Sequence, residues 1–565
     1  YDTTSEDNVF LLVEVTGKTN LDDILKILNL SGVMVSSNFA IIITPANKIN
    51  EISNIVLRIV NIEVSTILTL NAISPLEASG APVFNNNPYL RLNGRGVLVG
   101  IIDTGIDYLN KEFQREDDTT RIVRIWDQTI QGNKEIYSLK YGTEYTEDQI
   151  NQAIRLQASG GDPYSIVPSK DDIGHGTRMA GIIGGRGINP DLKGAASDCQ
   201  FIIVKLSRAT KVELDVAVID KTDVPSYSPW SALLALRYII AVARELKRPV
   251  VVFEPLGSNM GSHTGNGIVE QSINNYSTQS GTVVVVPTGN QGNTDTHTEG
   301  IIENVGDVKD IEIRIGEKQR NLPIEIWINK PNRVKLSIIS PSGEMIDNLD
   351  SKNANNERIK FLYEGTEMIV NFTSPELSTG DSHIFIRAYN LKAGIWKFRL
   401  TGQYIVEGKY YAWIPQRELL DSETKFLNSV GYTTLTLSST SNRAISVAYY
   451  NQEDNSVVTE SGRGYTRDKM IKPDIAAGGF NAIVTNPGGG TAVISGASVA
   501  GAVVAGCCVL ILQWAVTDKN YPDIYAEQIK AYIISGAKGR PGDVYPNKEW
   551  GYGMLDMNGI FDRIK

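Results

Sequence analysis

A carboxylate, an imidazole and a hydroxyl stand at three places in this chain where a strand should end or a helix should begin. Asp103 closes the apolar run in Ile101-Ile102-Asp103-Thr104-Gly105. His175 sits in Gly174-His175-Gly176-Thr177, which leads into Met179-Ala180-Gly181-Ile182-Ile183. Ser498 lies in Ser495-Gly496-Ala497-Ser498-Val499-Ala500, at the head of a long stretch without formal charge. Together these side chains are the parts that make serine a nucleophile. The imidazole takes the hydroxyl proton, and the carboxylate fixes the imidazole tautomer and stabilises the imidazolium. A serine at a helix N-terminus also has backbone N–H groups and the positive end of the helix dipole facing a developing oxyanion. Asn290, in Pro287-Thr288-Gly289-Asn290 just after another apolar run, adds an amide able to donate to the same oxyanion. Each residue alone has a plainer reading, as a helix cap, a loop histidine or a tight helix start. The chain has only four histidines, His175, His263, His297 and His383, so few imidazoles compete for the role of base.

These residues need a scaffold, and the hydrophobic pattern predicts one. Residues 97–102, 201–204, 250–253 and 282–286 are short, continuously apolar runs, as expected of strands buried on both faces of a parallel sheet. Helices are expected over about 231–246 and 267–276, between the later runs. The alternation predicts an α/β fold with a doubly wound, mostly parallel sheet, whose chemistry lies beyond the carboxyl ends of the strands. From about residue 300 to 416 the pattern turns to alternating segments such as Ile324-Glu325-Ile326-Trp327-Ile328, which predicts an inserted antiparallel β-sandwich or jelly roll. The α/β pattern resumes near Ala444. At the other end, strands at 9–15, 33–35, 39–44 and 62–70, with helices at 21–28 and 47–60, predict a ferredoxin-like β-α-β-β-α-β unit. A polar stretch rich in Pro, Gly and Asn (74–93) follows it. The expected domains are 1–72, 73–299, 300–430 (the insertion) and 431–565.

Composition removes several function classes. In 565 residues, 54 Lys+Arg against 64 Asp+Glu leave a net charge of −10, which argues against a general nucleic-acid binder. Three cysteines, two of them adjacent, cannot build a disulfide framework. Cys507 and Cys508 should be packed in an apolar helix, and Cys199 has no His or Cys at metal-ligand spacing. No Asp-rich loop has EF-hand spacing, which leaves any structural calcium ion unplaced, and the expectation is that no cofactor is required. The acidic start at Tyr1-Asp2 lacks the basic and apolar regions of a secretory signal. Residues 496–516 are apolar enough for a membrane span. Small residues at Gly496, Ala497, Gly501 and Gly506, and the lack of basic flanks, favour a buried helix instead.

The order Asp…His…Ser is that of subtilisin, and from about Gly96 to the C-terminus, the insertion apart, the chain resembles subtilisin-like serine proteases. The resemblance implies that Asp103, His175 and Ser498 form the triad, with Asn290 as the oxyanion-hole amide. It implies that Leu256-Gly257-Ser258 is the edge that pairs with extended substrate by strand addition. Lys472-Pro473-Asp474-Ile475-Ala476-Ala477 and Trp550-Gly551-Tyr552-Gly553 are further landmarks. The first unit resembles a propeptide, a chaperone and inhibitor that the enzyme itself removes, with the cut expected between about residues 63 and 73. Some positions depart from the family's habit: Ala497 where Thr is usual, Val499 for Met, Ala502 for Pro, and Arg178 for His. None of these removes a reacting atom. The separation of Asp103 and His175 leaves room for an additional loop over 122–172. The segment Arg121-Ile122-Val123-Arg124-Ile125-Trp126-Asp127-Gln128-Thr129 and the β insertion resemble the clostridial spore germination proteases of the Csp type. That likeness implies a location in the bacterial spore and two partners. These are the chain's own propeptide in the substrate cleft and a protein substrate, the proform of a cortex-degrading hydrolase.

Two other readings differ in class. A pseudoprotease would use the same fold to sense a signal or bind a partner; the presence of all three triad residues argues against it. The insertion, read as a carbohydrate-binding module, would use Trp327, Phe361, Tyr363, Phe385, Trp396 and Phe398 on peptidoglycan, but a sandwich core needs such aromatics anyway. His263, just past the substrate edge, is expected to make a loop hydrogen bond.

Overall fold

Runs of Val and Ile with no polar face can be satisfied only where both faces of a strand are covered, and the computed structural model sets four such runs side by side. It describes residues 8–15, 25–26, 29–34, 39–45 and 59–64, and residues 74–564 except 86, 88–89, 133–134, 140 and 350–356. The chain divides into two units, residues 1–72 and 73–565.

In the larger unit, the central sheet runs Ser456–Val457, Ile445–Asn451, Thr282–Pro287, Val250–Phe253, Leu98–Asp103, Gln200–Lys205, Ile122–Asp127 and Thr143–Thr146. Ile475–Gly478 also pairs with Ile445–Asn451. The inner pairings are parallel, and Thr143–Thr146 and Ser456–Val457 close the two edges antiparallel. The period of two along each strand assigns alternate residues to two cores. Val99, Ile101, Phe201, Val251, Phe253, Val283 and Val285 face one helical layer. Leu98, Ile102, Ile202, Val204, Val250, Val252 and Val284 face the other, which includes the helix Pro229–Leu246. Residues 122–127 are therefore not part of an added loop, as their place between Asp103 and His175 suggests. They extend the sheet, in parallel with Gln200–Lys205.

The first layer contains the helix Ala497–Leu512, packed on Val250–Phe253, Thr282–Pro287 and Ile445–Asn451 and against the helix His175–Gly184. With its continuation to Thr517 it is long and apolar enough to cross a membrane, yet most of it lies inside this core. Every residue of it except Ser498 is buried. Burying each large aliphatic side chain contributes about 1.5–3 kcal/mol, so the helix that carries Ser498 is held firmly along its whole length.

Between the last two parts of the central sheet, residues 297–426 form two antiparallel sheets, of six and five strands. Alternate residues, among them Ile324, Ile326, Ile328, Ile384, Ile386, Trp396, Phe398 and Leu400, fill one core between them. Phe361, Trp396 and Phe398 are buried in it, as core packing predicts, whereas Tyr363 is exposed. Trp413 is sandwiched between His263 and His297, with ring centroids 4.1 and 4.4 Å apart. Arg467, from the later α/β part, pairs with Asp381 of the insertion at 2.8 Å in a buried setting.

The smaller unit has a four-stranded antiparallel sheet in the order Ser31–Met34, Phe39–Pro45, Asn8–Val15, Ile59–Val64. The last strand begins at Ile59, inside the segment expected to be helical, because Ile59, Ile62 and Val64 fit a pleated strand at least as well as a helix. Most of the two expected helices, and residues 65–73 with most of the expected cut, lie outside the described residues.

Candidate active site

Asp103 is the last residue of its strand, and its side chain is 2 % exposed. His175 opens the helix His175–Gly184 and keeps 35 % of its side chain exposed, so the pair runs from the interior to an open face. His175 Nδ1 lies 2.7 Å from Asp103 Oδ2 and 2.9 Å from Oδ1. A carboxylate only accepts, so Nδ1 carries the proton and Nε2 is the basic nitrogen. Burial pulls the imidazole pKa down, but the charge and hydrogen bond of Asp103 more than offset it, leaving His175 above the ordinary histidine value. The two chain segments meet closely. A Cβ on Gly176 would fall 2.1 Å from the Gly105 carbonyl oxygen, so only glycine allows the histidine turn to seat against the strand end.

Ser498 is the second residue of its helix. The turn before it passes through Gly496 at φ 147°, a backbone that residues with side chains avoid. The Ala497 N–H donates to Asn290 Oδ1 at 3.0 Å. Asn290 follows the strand Thr282–Pro287, and this bond orients its amide, leaving the Nδ2 hydrogens for another acceptor. The structure thus joins Asp103 to His175 and Asn290 to the turn that presents Ser498. Among the described residues, no hydrogen bond joins Ser498 to His175. Such bonds are often long in unliganded serine hydrolases and tighten with substrate.

Leu256, Gly257 and Ser258 follow Val250–Phe253 without joining a strand. Gly257 is exposed, and its carbonyl accepts from Gln416 Nε2 at 2.7 Å, while the Ser258 carbonyl accepts from Leu437 N–H at 2.9 Å. A Cβ on Gly257 would lie 2.6 Å from Thr436, and one on Gly289 would lie 2.4 Å from it, so Thr436 stands between the two segments. Just ahead of this edge, burial pushes the Glu254 carboxyl up to about 7.

The residues that depart from the family's habit have places of their own. Arg178 reaches Asn486 Oδ1 at 2.8 Å, tying the histidine helix to the hairpin Ala482–Ile494. Ala497, Val499 and Ala502 are buried. The landmarks are structural: Lys472 Nζ bonds Asp474 at 2.6 Å, and Trp550 packs on Tyr450. His263 is buried and bonds the Asn259 carbonyl at 2.8 Å, the loop role expected of it. The three cysteines are buried and free. Among the described residues, no three His, Cys, Asp or Glu side chains converge as a metal site would require.

Sequence reasoning missed Asp171 and Thr104. Asp171 Oδ1 accepts from Thr104 Oγ1 and Gly174 N–H, both at 2.7 Å, and its Oδ2 accepts from Thr177 N–H at 2.8 Å and Thr177 Oγ1 at 2.6 Å. The signal was present: an Asp just ahead of a Gly-capped helix start is a natural acceptor for its orphan N–H groups.

Comparison with known proteins agrees with this geometry. The subtilase family model matches residues 94–312 and 426–553, more than half of the chain, and the gap between them falls on the β insertion. The structure of the Clostridium perfringens CspB protease superposes with a TM-score of 0.77 at 29 % identity, covering 87 % of this chain and 98 % of that one. A PII-type proteinase of Lacticaseibacillus paracasei is 22 % identical over 503 residues, and a PIII-type proteinase of Lactococcus lactis subsp. cremoris 21 % over 521. This chain spans about a quarter of those proteinases' length. An Asp–His pair at the end of a central strand, a serine heading a buried helix, and a family match whose two segments flank most of the insertion lead to one conclusion: the chain belongs to the subtilase family of serine peptidases and is built like the Csp-type proteases.

Proposed function

We propose that this chain is a serine endopeptidase in which Ser498 is the nucleophile, His175 the general base and Asp103 the residue that orients it. Ser498 Oγ attacks a peptide carbonyl as His175 Nε2 takes its proton. Asp103 holds the Nδ1 proton and stabilises the imidazolium. Asn290 Nδ2 and the Ser498 N–H receive the oxyanion, and His175 returns its proton to the leaving amine. Leu256, Gly257 and Ser258 bind extended substrate through their main chain. The observation that carries this reading is the 2.7 Å His175–Asp103 bond at the strand end, on a fold in which Asn290 and the head of the Ser498 helix are already tied together.

The finer reading is that the enzyme cuts its own N-terminal unit, residues 1–72, as a propeptide and then acts on the proform of a cortex-degrading hydrolase in the bacterial spore. The similarity to the CspB protease over most of both chains supports it. The β insertion serves as a brace of the jelly-roll type. Intact mass spectrometry of the wild type beside Ser498→Ala tests the proposal. The wild type should separate at a bond within about residues 63–73, and the variant should stay whole. A variant that processes itself like the wild type would remove Ser498 from the mechanism. Processed wild type should also convert the purified hydrolase proform, and the Ser498→Ala protein should not; equal inactivity of both would overturn that substrate.

A further inference from the structure

We infer that Asp171 is a positioning residue for the triad: a second carboxylate that locks the Asp103 strand end to the His175 helix start and adds its charge to the histidine's surroundings. The inference rests on the proposed roles of Asp103, His175 and Ser498.

The bonds form a closed ring. Asp171 takes four donors, and all come from the residue after Asp103 or from residues within two positions of His175. Thr104 Oγ1, which donates to Asp171, accepts in turn from Gly176 N–H at 2.9 Å, and Thr104 N–H donates to Asp103 Oδ1 at 2.6 Å. Thr177 Oγ1 also accepts from Asp107 N–H at 2.9 Å. The Thr104–Asp171, Gly176–Thr104 and Asp107–Thr177 bonds thus tether one catalytic segment to the other, and Asp171 holds its own side together through Gly174 and Thr177.

The helix start explains why a carboxylate is needed. The cap residue Gly174 has φ 86° and no side chain to offer, so the first-turn N–H of Thr177 has no local partner. Asp171 supplies the acceptor from outside, where a negative charge also complements the helix dipole. Among the described residues Asp171 has no ion-pair partner; Lys205 pairs with its exposed neighbour Asp172. Its charge is therefore balanced by donors alone and remains felt at His175. The charged groups acting on that imidazole are Asp103 and Asp171, which favour the imidazolium, and Arg178, which opposes it.

Asparagine at 171 preserves the shape but offers an NH2 group to two Thr177 donors, and it removes the charge. The position of His175 should loosen, and a displacement of about 1 Å costs up to about 10²-fold at such a site. The experiment is the pH dependence of labelling by a fluorophosphonate probe, with Asp172→Asn as the neighbouring charge control. Asp171→Asn should label about 10- to 100-fold more slowly. Its acid limb should move to lower pH, since losing a negative charge disfavours the imidazolium. Thr104→Val should slow labelling and leave the limb in place, and Asp172→Asn should match the wild type. An Asp171→Asn protein with wild-type rate, or with a slower rate and an unmoved limb, overturns the inference. If Asp171→Asn does not fold, Thr104→Val decides: labelling within twofold of wild type overturns it. A wild type that does not label at all overturns the protease reading and this inference with it.

Discussion

The amide of Asn290 faces two ways, and substitutions there should separate its two jobs. Its Oδ1 anchors the Ala497 N–H at 3.0 Å, and its Nδ2 is left to meet an oxyanion. Asn290→Ala removes both. The lost anchor is one hydrogen bond at the head of a helix whose other residues are almost all buried, so stability should fall by about 0.5–1.5 kcal/mol. The lost donor should cost about 10²–10³ in kcat, or about 2.7–4 kcal/mol, the scale measured for the oxyanion amide of the related enzyme subtilisin. Asn290→Asp keeps an acceptor for Ala497 but places an oxygen where the donor stood. It should lose at least as much kcat as the alanine variant while keeping most of the stability. The assay pairs steady-state hydrolysis of a chromogenic peptide with thermal melts of the same samples. An Asn290→Ala enzyme within threefold of wild-type kcat would refute the oxyanion role. An Asn290→Asp enzyme as unstable as the alanine variant would refute the anchor.

Further outcomes follow from the same structure. Because His175 is held above the ordinary histidine value, the acid limb of kcat/KM should lie above about pH 6.5, with activity lost as pH falls through it; a limb at or below that value would contradict the Asp103 contribution. Burial lowers His263 to about 3, so its neutral form contributes stability that is present above the unfolded value near 6.5 and is lost as pH falls towards 3. His263→Phe, which retains a ring against Trp413, should flatten the fall in melting temperature between pH 6.5 and 4, and an unchanged slope would exclude this histidine as a source of it. A Cβ on Gly501 would lie 2.8 Å from the Phe253 ring, so Gly501→Ala should destabilise by about 1–3 kcal/mol in denaturant melts despite alanine's better helix propensity; a gain in stability would show that the ring yields freely.

Much of this site was legible before any coordinates. Apolar runs of four to six residues identified the central strands because a residue buried on both faces cannot be polar, and that constraint is written into the chain locally. Asp103 and Asn290 stand out as positions just past strand ends for the same reason, since each follows one of those runs, whereas the substrate-edge role of Gly257 rests on the family resemblance. The alternation across about residues 300–416 announced an antiparallel sandwich in the same way, and two such sheets span 297–426. Where one pattern suits two structures, the reading fails: residues 59–60 suit the end of a helix but begin a strand, and residues 122–127, with Arg124 and Asp127 among apolar residues, suit a loop on the Asp103–His175 separation but pair with Gln200–Lys205.

What only the tertiary structure decided is which distant groups meet. The charge-free helix at 497–512 lies in a stretch apolar enough for a membrane span, although its small residues favour a core helix, and it packs between the sheet and the His175 helix. Histidines 263 and 297 carry no local sign that they stack on Trp413. Nor does Asp171 announce that its four donors come from both sides of the catalytic pair. Periodicity is a property of neighbours in sequence, and it reports which face of an element is buried. Hydrogen bonds between strand ends and helix starts depend on how those elements are placed, and that placement is fixed by the packing of the whole core.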